Sequence, residues 1–328
     1  MNRYSASLGS ALLALMVSGC GGGGGGGAPA PPPGISATGT INSASVLAIS
    51  GRSVDAVIRS GNFGDITNVV GLTTMATGEP ANFGAQISTK PGGWHPYSLI
   101  PVGPETTPCL VDGTVTVSGD IESPLTVTPG DFLDYEWDSC DDGLGQVIDG
   151  LIGMTFTDFE GNLLAGQILL NVSLDIQSFQ VIEGGNANTT TGDLSLTIDS
   201  RTQPETTITT LGNSLTTITD LSTDTVSDFL TAVTEDTSVF PRAFTTDATG
   251  RVSSSEFNGF VTYDTPTPFE SSGDSFPYDG EMLIFGTNNS NVRIIAMDEE
   301  NVRIEADYDG DGASDATIDT TWEALVGS

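Results

Sequence analysis

The sequence predicts a mainly β protein: an antiparallel sheet, built as a sandwich or a curved-sheet domain, with one N-terminal helix after a flexible linker. Two observations carry that expectation. From Cys109 onward the chain is rich in Thr, Val, Ile and Ser of alternating polarity, with turn-forming residues every eight to twelve positions. Near the C-terminus, stretches at 281–286, 292–297, 302–308 and 317–325 are separated by only a few residues, so neighbours must run antiparallel.

In chain order, residues 1–19 have the three parts of a secretory signal. Arg3 supplies the positive n-region, residues 8–17 the apolar h-region, and small residues lead to the cut. The apolar run is shorter than the roughly 20 residues that span a bilayer, so it reads as a segment to be removed. Residues 21–34 are glycine, alanine and proline apart from the cysteine before them, a tether with no side chain able to build a core. Together with Cys20 they form the segment 20–34. Residues 35–108 read as a helical and looped segment packed on the sheet, and 109–328 as the β domain.

Within 35–108, Val46, Ile49, Val54 and Val57 recur at helical spacing, with Asn42 placed to cap and Gly61 placed to end a helix over 46–58. Arg52, Asp55 and Arg59 fall on its other face. A second short turn is expected at 66–70, and residues 77–108, rich in Gly and Pro, read as a connection. In the β region the Thr-rich stretch 203–225 is where a seam would fall if two β domains were present.

Val17-Ser18-Gly19-Cys20 resembles the lipobox of bacterial lipoproteins: an aliphatic residue, two small ones, then cysteine. The resemblance implies cleavage before Cys20, acyl chains such as palmitate on its thiol and amine, and anchoring in a membrane. Gly21, where that family's retention signal would be Asp, implies the outer membrane. Two or three chains hold a protein where one holds it only reversibly, at about 0.8 kcal/mol per buried methylene.

Nine basic against 43 acidic side chains give a net charge of −34. Loss of Arg3 with the signal makes it −35. So acidic a chain has no basic surface for a phosphate backbone, which argues against a nucleic-acid partner. A protein or glycan partner is not specified by composition. With Cys20 assigned to lipid, Cys109 and Cys140 remain, and in an exported protein the pair reads as a disulfide worth roughly 3 to 4 kcal/mol in the chain-entropy picture.

The strongest candidate site is Asp307-Tyr308-Asp309-Gly310-Asp311-Gly312-Ala313-Ser314-Asp315. Carboxylates at alternate positions of a tight loop can converge as the oxygen shell of Ca²⁺. The loop resembles the D-x-D-x-D-G calcium loops of EF-hands, dockerins and thrombospondin type 3 repeats. The resemblance implies Asp307, Asp309, Asp311 and Asp315 as side-chain ligands and Ala313 through its carbonyl. It departs from the first two at position 12, where Ile318 stands for the bidentate Glu and Asp319 comes one place late. A plain Asp- and Gly-rich hairpin turn is the alternative.

Catalytic signals are weak. Gly273-Asp274-Ser275 echoes serine hydrolases, but the only histidine is His95 and the following Phe276-Pro277 departs from their pattern. Asp138, Asp141 and Asp142 read as a solvated turn beside the disulfide, and Asp298-Glu299-Glu300 as an exposed hairpin tip. Trp94, Trp137 and Trp322 read as core. The expectation is therefore a non-enzymatic lipoprotein with an acidic, Ca²⁺-stabilised interaction domain. The alternatives are a carrier of a lipid or other apolar ligand in a curved sheet, and a carbohydrate-active enzyme using paired carboxylates.

Overall fold

The computed structural model describes residues 36–69, 103–121, 128–141, 143, 145–162, 167–273 and 275–326. The segments expected as signal and tether, with Cys20, and the residues Trp94, His95, Asp142 and Asp274 lie outside the described residues.

Alternating polarity becomes one antiparallel sheet of fourteen strands. These are β1 (Glu105–Pro108), β2 (Asp112–Asp120), β3 (Phe132–Asp141), β4 (Gln146–Asn162), β5 (Gln167–Glu183), β6 (Asn186–Asp199) and β7 (Glu205–Ile218). They continue as β8 (Thr223–Asp236), β9 (Ala243–Ser254), β10 (Phe260–Ser272), β11 (Asp279–Phe285), β12 (Asn291–Ala296), β13 (Asn301–Asp307) and β14 (Ala316–Thr321). Each strand pairs with the next in sequence, and β1 and β14 each have one partner, so the sheet is open. The Thr-rich stretch 203–225 is no seam: it forms β7 and the turn into β8 in mid-sheet, over a hydrophobic core that runs on without a break. Threonine is frequent there because a β-branched side chain suits a half-buried pleated surface.

On one face, alternate residues are buried, as with Ile168, Leu170, Val172, Leu174 and Ile176 of β5. That face wraps around α1 (Val46–Val69), which touches β7, β8, β9 and β12. At about 4.8 Å per strand, β7 and β12 would lie about 24 Å apart in a flat sheet, more than the width of a helix. The sheet must therefore curl around α1. Between β7 and β12 pairing shifts register from Ser227 to Leu230 and from Asp264 to Phe269, which permits this. A further row of irregularities crosses β3 to β7. Pairing shifts register between Trp137 and Cys140, between Asp149 and Leu151, between Ile176 and Phe179, and between Asp193 and Leu194. Such bulges bend strands and increase their twist. Gly150 (φ 113) and Gly192 (φ 149) stand in that row, where a Cβ would collide with the carbonyls of Ser178 and Ser214.

Asn42 does cap the helix entry, its Oδ1 accepting from the N–H groups of Ala44 and Ser45 at 2.9 and 3.1 Å. Gly61 does not end the helix. Gly61 instead lies against β8, where a Cβ would meet Val233 and Thr231 in ordinary van der Waals contact, and Ser60 shares a hydrogen bond with Thr231. The helix runs on to Val69 and takes in most of the turn expected at 66–70. Enclosure also takes in Arg52, although it falls on the face opposite the apolar positions. It is buried, with its guanidinium on Glu256 and 3.9 Å from Asp224, while Arg59 pairs with Asp55 one turn away.

The last expected strand also stops short. β14 ends at Thr321, whose hydroxyl accepts from the N–H of Ala324 and so caps a short helix, α2 (Trp322–Val326). Trp322 is buried there, stacked on Phe276, with its indole N–H shared between the carbonyls of Pro277 and Asp298. Trp137 is likewise core, edge-on to Phe179. The disulfide Cys109–Cys140 is formed, with Cα atoms 5.5 Å apart, and ties the β1–β2 connection to the end of β3.

Candidate metal centre

The aspartate loop joins β13 to β14, the last hairpin of the sheet. Asp307 closes β13 and is almost fully buried; Asp309 and Asp315 are exposed. One carboxylate oxygen from each of these three lies within 4.8 Å of the others. The loop is held in this shape by its own backbone. Gly310 N–H donates to Asp307 Oδ1 at 2.7 Å and Gly312 N–H to Asp307 Oδ2 at 2.9 Å. Tyr308 N–H donates to Asp315 Oδ2 at 2.7 Å, and Asp315 N–H to the Ala306 carbonyl. Both glycines have positive φ, and a Cβ on Gly310 would run into the Asn288 carbonyl of the β11–β12 turn.

Sequence reasoning named these three carboxylates. Asp311 falls outside that group of three, and its Oδ1 accepts from Ala313 N–H at 2.8 Å. Ile318, at position 12 of the resembled loops, lies in β14 packed against the core, where it offers no oxygen. Asp319, one place late, is engaged with Arg303 at 2.8 Å. That pairing holds the Asp319 carboxyl below the usual carboxylate range. One contact had no signal in the sequence. Asn291, on β12, donates from Nδ2 to Asp307 Oδ2 at 3.1 Å and fixes the buried carboxylate from the neighbouring strand.

The donor set is all oxygen, with no nitrogen or sulfur, which suits a hard cation. Two oxygens on opposite sides of a Ca²⁺ ion are separated by about 4.8 Å, given bonds of about 2.4 Å, so oxygens this close can share one coordination sphere. Each carboxylate also keeps acceptor capacity beyond its hydrogen bonds. The group of three can hold a metal ion.

Other sequence candidates fall where solvent and turn geometry place them. Ser275 closes a turn, its hydroxyl donating to the Ser272 carbonyl at 2.7 Å. Asp141 accepts from Gly143 N–H, and Asp298 accepts from the N–H groups of Glu300 and Asn301 at an exposed tip. The hydrogen bond from the Asn301 side chain, then those backbone donors, lower the Asp298 pKa. The described fold and loop define an antiparallel β protein whose last hairpin carries a cluster of three carboxylates able to hold a metal ion. No known protein family, no curated protein and no solved structure matches the chain.

Proposed function

We propose that this protein is a non-enzymatic, lipid-anchored component of the bacterial outer membrane whose acidic β domain binds Ca²⁺ and serves an interaction role. The observation that carries the calcium reading is the convergence of Asp307, Asp309 and Asp315 within one coordination distance in a hairpin loop. Water and the backbone of the loop complete a shell of six or more oxygens, with Asp311 and the Ala313 carbonyl the nearest candidates. So few protein ligands put the affinity in the submillimolar to millimolar class of extracellular modules. The anchor reading rests on Val17-Ser18-Gly19-Cys20.

Calcium at about 100 times its Kd should add about 2.7 kcal/mol to stability. For a domain of roughly 290 residues with an unfolding entropy of about 0.6 kcal/mol/K, that raises Tm by roughly 4 to 5 °C. Asp307→Asn should abolish the shift, and Mg²⁺, which demands a tighter octahedron, should give a smaller one. A Tm unmoved by Ca²⁺ and by chelator refutes the metal reading. Feeding cells an alkyne fatty acid should label the wild type and not Cys20→Ala; equal labelling, or none, ends the anchor reading.

A further inference from the structure

A groove crosses the sheet on the face opposite α1. It is a hollow of about 400 Å³ over β3 to β7, open to solvent, and no basic side chain is among its lining residues. Two cross-strand rows build it. One runs Phe132, Thr155, Ser173, Ser195, Leu211, each in register with the next. Small hydroxyl residues form its floor, while Phe132 and Leu211, 40% and 54% exposed, stand at its two ends. At about 4.8 Å per strand these posts are about 19 Å apart. The adjoining row runs Asp134, Gly153, Asp175, Asp193. Gly153 leaves a gap over which the Asp134 carboxylate leans, and Asp175 and Asp193 are direct cross-strand neighbours.

Like charges facing each other across strands are destabilising, and among the described residues the groove lining holds no Lys or Arg to offset them, though the Gln177 side chain donates to Asp175 Oδ2. Phe132 and Leu211, at the ends of a floor of Ser and Thr, leave about half of their apolar surface in water. Both features become favourable with one kind of occupant. We propose that this groove seats an extended basic segment of another protein. Its lysine or arginine side chains meet Asp134, Asp175 and Asp193, and an apolar residue at each end covers Phe132 and Leu211. Six residues of extended chain, at about 3.3 Å each, match the span between the posts. This names a partner for the interaction role proposed above, on which it rests, and it needs neither the cation nor the anchor.

The test is fluorescence anisotropy on the full chain with a labelled heptapeptide carrying lysine at positions two, four and six, leucine first and phenylalanine last. At about 20 mM salt, where screening is weak, binding should be micromolar. The triple variant Asp134→Asn, Asp175→Asn, Asp193→Asn should weaken it at least tenfold. The charge-matched control Glu299→Gln, Glu300→Gln, Glu323→Gln, at three exposed acids away from the groove, should stay within twofold. A peptide with serine at both ends should bind about fivefold less tightly, and so should the original peptide to Leu211→Ser, which decides the matter even if the triple variant fails to fold. No binding, or control and groove variants weakened alike, overturns the proposal. Loss of peptide binding with an intact Ca²⁺ response would leave the metal reading standing.

Discussion

Replacing Arg52 by methionine tests whether α1 is held inside the sheet by charge as well as by packing. The Arg52 guanidinium donates from Nε to Glu256 Oε2 at 3.0 Å and from Nη2 to Oε1, and Asp224 Oδ1, which has no hydrogen-bond partner among the described residues, lies 3.9 Å away. Methionine keeps the apolar stem, so the change is mainly electrostatic. Breaking a buried pair costs about 3 to 5 kcal/mol when one charge is left stranded. Glu256 is 30% exposed and regains water, but the Asp224 side chain, 9% exposed, does not. The expected loss is therefore about 2 to 4 kcal/mol, or roughly 3 to 7 °C in Tm at the unfolding entropy used above. Urea and thermal melts read it directly. Adding Asp224→Asn and Glu256→Gln removes the stranded charges and should recover most of the loss. A single variant within about 0.5 kcal/mol of wild type, or a triple variant no better than the single, refutes the reasoning.

Two further outcomes follow from the same geometry. Gly150→Ala, at the bulge row with φ 113 and the Ser178 carbonyl against its Cβ, should destabilise by about 2 to 4 kcal/mol in urea melts. Gly145→Ala, equally left-handed but with open space around it, should cost only about 1 kcal/mol, and equal effects would count against a steric role for the row. Burial raises the pKa of Asp55 above the ordinary carboxylate value, against the opposing charge of Arg59, while Arg52 also lowers it and Asp224 raises it. The folded state then binds the proton more tightly than the unfolded chain, so this group's contribution to stability is greatest at low pH and falls as pH rises through the window above about 3.8. Arg59→Met should push the Asp55 titration, followed by carboxyl NMR, further up; a downward shift or none would contradict that balance.

The antiparallel β character from Cys109 onward, the cap at Asn42, the Cys109–Cys140 pair and the three carboxylates Asp307, Asp309 and Asp315 were legible in the sequence. Each depends on neighbours a few positions away, or on elimination among a few cysteines. Polarity of period two specifies which face a residue takes, and a short acidic loop specifies its own turn whatever surrounds it. Only the tertiary structure decided that fourteen strands form one sheet, that it curls around α1, and that Arg52 is buried on Glu256, 204 residues away. It alone placed Asn291 on Asp307 and aligned Asp134, Asp175 and Asp193 across three strands. Those facts depend on register and curvature, which are set by pairing between distant segments and by bulges at positions such as Gly150. Local pattern leaves them open because shifting a strand by two residues preserves every inward and outward assignment while changing every neighbour.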